Sequence, residues 1–118
     1  MLNSDKLTIE IIISKTRSSE RKFREGNFKG ALEDKREVKC LLNSELCDED
    51  IIKKFKEELS NIYSSKFDLI NDHKLRIDEF KINKIVKLLE HKSDEKYSKG
   101  DFKGAIKAIR RSEKYLAN

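Results

Sequence analysis

At 118 residues the chain is long enough for one domain with a modest core. Charged residues make up 42% of it and hydrophobic ones 36%, with no proline and no tryptophan, which fits long amphipathic helices with solvated outer faces. The longest apolar run, Ile11-Ile12-Ile13, is too short to span a membrane, and the N-terminus lacks the basic start and long apolar core of a secretory signal, so a soluble cytoplasmic protein is expected.

From Ser4 to Arg24, Ile9, Ile12, Ile13, Thr16 and Phe23 fall on a helical stripe. Leu7 to Ile13 also reads as a β-strand, since its odd positions alternate apolar. Only the faint Leu75-Arg76-Ile77 offers a partner, and a lone strand cannot satisfy its backbone, so the reading is helix. A second helix is expected from Phe28 to Leu42, with Phe28, Ala31, Leu32, Val38, Leu41 and Leu42 inward. Asn43-Ser44 breaks it, and the acidic trio Asp48-Glu49-Asp50 opens a third helix at the positive end of the macrodipole. The third stripe is Ile51, Ile52, Phe55, Leu59, Ile62, Tyr63, Phe67 and Ile70, with Asn71-Asp72-His73 as the next interruption. A fourth helix is expected from Asp78 to Ser98, with Ile82, Ile85, Val86, Leu89 and Tyr97 inward. The fifth runs from Phe102 to Leu116, with Phe102, Ala105, Ile106, Ile109 and Leu116 inward.

One stretch occurs twice. Phe23-Arg24-Glu25-Gly26-Asn27-Phe28-Lys29-Gly30-Ala31-Leu32 is matched by Tyr97-Ser98-Lys99-Gly100-Asp101-Phe102-Lys103-Gly104-Ala105-Ile106, at a constant offset of 74. Each copy reads as a helix end, a tight turn and a helix start. Gly26 and Gly100 stand where a helix ends and the next residue must often take φ > 0. Asn27 and Asp101 follow as N-caps, accepting from free N–H groups of the next helix. Ala31 and Ala105 lie one turn in, small enough for two antiparallel helices to approach. Gly30 and Gly104 are odd in a first turn, where each costs up to about 1 kcal/mol against alanine. Their recurrence points to a close backbone contact or to a duplicated ancestor.

These residues resemble the tetratricopeptide repeat family, whose motif sets an aromatic, Gly-Asp-aromatic and Ala at fixed spacing across a helix hairpin. Gly100, Asp101, Phe102 and Ala105 match it, as do Gly26, Asn27, Phe28 and Ala31, and Ser93 and Ser19 fall where the family has a small residue. The family's tryptophan position holds Leu89 and Lys15, its second-helix aromatic holds Ile109 and Lys35, and its closing proline is missing. The corners are also similar to those of MIT-type three-helix domains. The offset is about twice the period of common helical-hairpin repeats. It leaves room for a degenerate middle unit with its corner at Tyr63-Ser64-Ser65-Lys66-Phe67. The expectation is an all-α chain of about five helices in antiparallel hairpins, forming a superhelix or a short bundle. It is one domain over 1–118, with hairpins at 4–43, 48–77 and 78–117.

What the resemblance implies is protein binding in a groove. The inner positions are Thr16 and Glu20 in the first copy, Glu90 and Asp94 in the last. Being acidic or neutral, they argue against a carboxylate clamp. With Phe23 and Tyr97 beside them, Glu20, Glu90 and Asp94 favour a basic or amphipathic segment. The end of the fifth helix, with Ile106 and Ile109, is a second expected interface, for a partner helix or for self-association.

The net charge of +5 sits entirely in residues 60–118, with 14 Lys/Arg against 9 Asp/Glu. Lys103, Lys107, Arg110, Arg111 and Lys114 line one face of the fifth helix, a ridge that could meet nucleic-acid phosphates. The plain alternative is a solvated face, and no aromatics interleave with this ridge to stack on bases.

Nothing in the sequence marks an enzyme: there is no phosphate-binding glycine loop, nucleophile elbow or metal-ligand cluster, and no cofactor is implied. Cys40 and Cys47 read as ordinary thiols, His73 and His91 as surface histidines, and Tyr63, Phe67 and Tyr97 as core. The sequence therefore leads to a non-catalytic protein-interaction module, with nucleic-acid association through the fifth helix as the alternative.

Overall fold

A computed structural model describes residues 3–45, 47–63 and 79–117. Among them the fold is all-α. Five helices are formed: α1 (Asn3–Arg24), α2 (Phe28–Leu42), α3 (Glu49–Tyr63), α4 (Glu79–Ser98) and α5 (Phe102–Leu116). Residues 7–13 are helical, as the backbone argument requires. The expected middle corner, His73, Phe67, Ile70 and the segment 75–77 lie outside the described residues. The chain divides into two compact units, Met1–Phe55 and Lys56–Asn118, with the boundary inside α3.

In the first unit α1 packs on α2, and in the second α4 packs on α5. Each pair is joined by three residues, 25–27 and 99–101. Gly26 has φ 84° and Gly100 φ 80°, the left-handed region a Cβ disfavours. The Asn27 amide donates to the Lys22 carbonyl at 2.8 Å and the Gly26 amide to Phe23 at 3.1 Å. In the second corner Asp101 donates to Lys96 at 2.9 Å and Gly100 to Tyr97 at 3.0 Å. This pair of bonds is the Schellman ending, which satisfies the last carbonyls of the helix. The residue that completes it then caps the next helix. Asn27 (φ −85°, ψ 74°) accepts from the Gly30 amide, and Asp101 (φ −85°, ψ 75°) from the Gly104 amide.

The odd glycines have a steric reason. A Cβ on Gly30 would lie 2.9 Å from Cγ of Asn27, and one on Gly104 would lie 2.9 Å from Cγ of Asp101. The capping side chain is folded over the glycine and fills the space a methyl would need. Aromatic pairs close both corners: Phe23 and Phe28 with ring centroids 5.8 Å apart, Tyr97 and Phe102 5.2 Å apart in an edge-on arrangement.

The hairpins share one further contact. Ser19 Oγ donates to the Ala31 carbonyl at 2.9 Å, and Ser93 Oγ donates to the Ala105 carbonyl at 2.8 Å. A small hydroxyl on one helix thus bonds the backbone of the other, beside an alanine that is fully buried in each case. Helix–helix approach this close requires a small side chain on both sides.

The core takes part of each expected stripe, while Ile13, Phe28, Leu41, Leu42, Ile82, Ile85, Leu89 and Leu116 are only half-buried. Ile9, Ile12, Ala31, Leu32, Val38, Val86, Ala105 and Ile106 are buried, as are Ile51, Phe55, Leu59 and Tyr63 at four-residue intervals on α3. Ile52, expected inward, is 40% exposed because it stands a third of a turn off that line.

Candidate functional site

Five residues were expected to line a groove, and they divide between the units. Glu20 is buried at 9% exposure, so its carboxylate is not offered to a partner. It stands one turn past the fully buried Thr16, on the inward stripe of α1. Phe23 and Tyr97 are half-buried, and each ring packs on the aromatic that opens the next helix. On α4, Glu90 is half-buried and Asp94 exposed, with Tyr97 three residues on, so these three share one face.

The terminal interface changes in kind. Ile106 is fully buried, leaving the half-buried Ile109 as the accessible member of the pair. Ile106 and its neighbour Ala105 are both on the enclosed side of α5, each with no exposed surface.

The basic ridge on α5 splits in two. Lys103, Lys107 and Arg111 are exposed along one line. Arg110 and Lys114 instead lie over the ring of Tyr63, at 5.5 Å and 5.9 Å from its centroid. Tyr63 is itself buried and donates its hydroxyl to Oε1 of Glu113 at 2.7 Å. Two of the five cations are therefore committed to cation–π packing around a buried tyrosine. The carboxylate of Glu113 sits in the same cluster. Nearby, Ser60 Oγ donates to the Ala117 carbonyl at 2.9 Å and ties α3 to the end of α5.

The first unit holds a different polar cluster. Asp34 is 4% exposed, and its Oδ2 lies 3.1 Å from Nζ of Lys22, off the line of a hydrogen bond. Lys35, next in the chain, is also buried, as is Thr16 on α1, which donates to the Ile12 carbonyl at 2.7 Å. Lys15 pairs with Glu37, whose hydrogen bond and negative charge raise the Lys15 pKa above its ordinary value. Along the outer side of α1 runs a shallow hollow lined by Glu10, Ser14, Arg17, Ser18, Arg21 and Arg24. The arginine spacing i, i+4, i+7 was readable in the sequence as a second cationic row.

Two large apolar side chains stand in water on α4: Phe80 at 69% exposure and Leu88 at 70%. Lys84, midway between them, places its ammonium 5.0 Å from the centroid of the Phe80 ring. Both residues fall outside the inward stripe of this helix. The signal available was their i, i+8 spacing with Lys84 between.

Among the described residues no group of three or more His, Cys, Asp or Glu side chains is placed to hold a metal ion. No described helix is long and apolar enough to cross a membrane. Cys40 and Cys47 are free thiols, and burial, followed by the charge of Asp48, pushes the Cys47 thiol above its ordinary pKa. His91 is exposed and pairs with Glu95 one turn on, at 3.1 Å. Comparison with family models, with curated proteins and with solved structures finds no match.

Proposed function

We propose that the chain is a non-catalytic protein-interaction module, an adaptor or scaffold of helical hairpins similar to tetratricopeptide repeats, which binds a peptide or partner helix. The observation that carries this reading is the contrast on the second hairpin. Its corner polar groups are bonded internally, whereas Phe80 and Leu88 stay in solvent on the face of α4 away from the buried Val86 and Ser93. Large exposed apolar side chains rimmed by charge are what protein-binding surfaces present. The duplicated corner supports the same reading, since it is the part of the chain that resembles a family of binding repeats. No catalytic role is assigned to any residue.

One observation favours a second reading. Lys103, Lys107 and Arg111 remain exposed in line on α5, three cations that could follow a phosphate backbone. Both readings meet in one experiment: capture of partners from native lysate by the full chain, with and without nuclease and at two salt concentrations. Proteins retained after nuclease and at the higher salt support the interaction module. Retention lost to nuclease and falling steeply with salt transfers the function to the α5 face.

A further inference from the structure

Between Phe80 and Leu89 the sequence holds three lysines and no carboxylate. At 100° per residue, Lys87, Phe80, Lys84, Leu88 and Lys81 occupy one continuous arc of α4. All five are exposed, and the arc lies away from the side that carries Val86 and Ser93 into the hairpin. Eight residues at 1.5 Å each put Phe80 and Leu88 about 12 Å apart, two turns of a helix, with a cation between them.

The hairpin itself does not demand this arc. At the same offset that relates the two corners, Phe80, Lys84 and Leu88 correspond to Lys6, Glu10 and Ser14 on α1, all exposed and all polar. An equivalent helix thus needs no apolar side chain there. Phe80 and Leu88 cost solubility without contributing to the hairpin core.

We infer that this face of α4 docks an acidic amphipathic helix of a partner protein, with apolar partner side chains on Phe80 and Leu88 and partner carboxylates on Lys84 and the flanking Lys81 and Lys87. The inference rests on the protein-interaction reading and specifies its surface and partner chemistry. Charge selects the partner's sign, and the two apolar knobs set its register along the groove between turns. An anionic bilayer fits less well, because interfacial helices present a contiguous apolar face, and here Lys84 interrupts it. Single-stranded nucleic acid fits less well too, because base stacking needs a bare ring face and Lys84 lies over that of Phe80.

The test uses the full chain and a fluorescent 18-residue peptide of about five helical turns, with leucines at three- and four-residue spacing and glutamates on both flanks. Its counterpart has lysine for every glutamate. Binding of the acidic peptide, none of the basic one, and a loss of at least about tenfold in F80A/L88A and in K84E/K87E is the expected result, tenfold being one unit on the logarithmic affinity scale. The control L7A/I11A removes two exposed apolar side chains of α1 and should leave binding unchanged, with helicity checked by circular dichroism for every variant. No binding of the acidic peptide, or equal loss in the α1 control, overturns the inference. So does binding to phosphatidylserine vesicles or a single-stranded oligonucleotide that depends on Phe80 while the peptide does not. A lysate partner still captured by F80A/L88A leaves the interaction module standing and removes this face from it.

Discussion

The two hairpins are alike where they turn and unlike where they are filled. Both corners use a left-handed glycine, a residue that ends one helix and caps the next, a glycine beneath that cap and an aromatic pair. Both join their helices by a serine hydroxyl donating to an alanine carbonyl. Away from the corner the agreement is partial: Ile12 and Val86 are both buried, but other positions differ in chemistry. The first hairpin buries Asp34 and Lys35, where the second has Ala108 and Ile109. The second buries Glu113 against Tyr63, where the first has the exposed Lys39. The difference separates what makes a hairpin from what each hairpin carries. The turn has few chemical solutions, whereas a core position accepts an apolar side chain or a satisfied polar one.

That comparison can be broken first at its apolar centre. Leu32→Ala and Ile106→Ala remove equivalent, fully enclosed side chains and should each cost about 3 kcal/mol in denaturant unfolding. A much smaller loss in one would mean that the two interiors are not packed alike. The next effect should be one-sided. Lys22→Met strips the counter-charge from buried Asp34 and should cost about 2 kcal/mol, since Lys22 is partly exposed. The equivalent Lys96→Met breaks only a 4.0 Å pair with exposed Asp101 and should stay within about 0.5 kcal/mol. Equal effects would contradict the distinction between the two interiors.

Smaller changes at the corners should be symmetrical. Gly26→Ala and Gly100→Ala force a Cβ into the left-handed region and should cost about 1–2 kcal/mol each, although open space surrounds both positions. Ser19→Ala and Ser93→Ala should each lose about 1 kcal/mol, the net worth of one buried hydrogen bond. Thermal unfolding followed by circular dichroism reads all four, and a pair that disagrees by more than the expected effect would show that the matched corners do different work.

The corners were legible because turn chemistry is local. Glycine at a positive φ, Asn or Asp at a cap and alanine at a close approach are each dictated by a few neighbouring atoms, so α2 and α5 begin and end where the sequence places them. The steric role of Gly30 and Gly104 was visible only as an anomaly, because the side chain that excludes a Cβ is the cap itself. The interior was partly legible. Four-residue spacing gave Ile51, Phe55, Leu59 and Tyr63, but periodicity assigns charged residues to water, so burial of Glu20, Asp34, Lys35 and Glu113 left no mark. The ridge on α5 read as five equivalent cations, since nothing in helical spacing shows that Tyr63 takes up Arg110 and Lys114. Phe80 and Leu88 were excluded correctly from the core stripe, yet only their exposure gives them meaning.

The proposed docking face sets the outer rows of the two first helices apart: Phe80, Lys84 and Leu88 on α4 against Lys6, Glu10 and Ser14 on α1. The most direct measurement is an amide shift map of the labelled full chain, titrated with the leucine–glutamate helical peptide. Shifts concentrated between Phe80 and Lys92, with α1 silent at Lys6 to Ser18, are the predicted result. Shifts shared between α1 and α4, or confined to Lys103, Lys107 and Arg111 on α5, would contradict it.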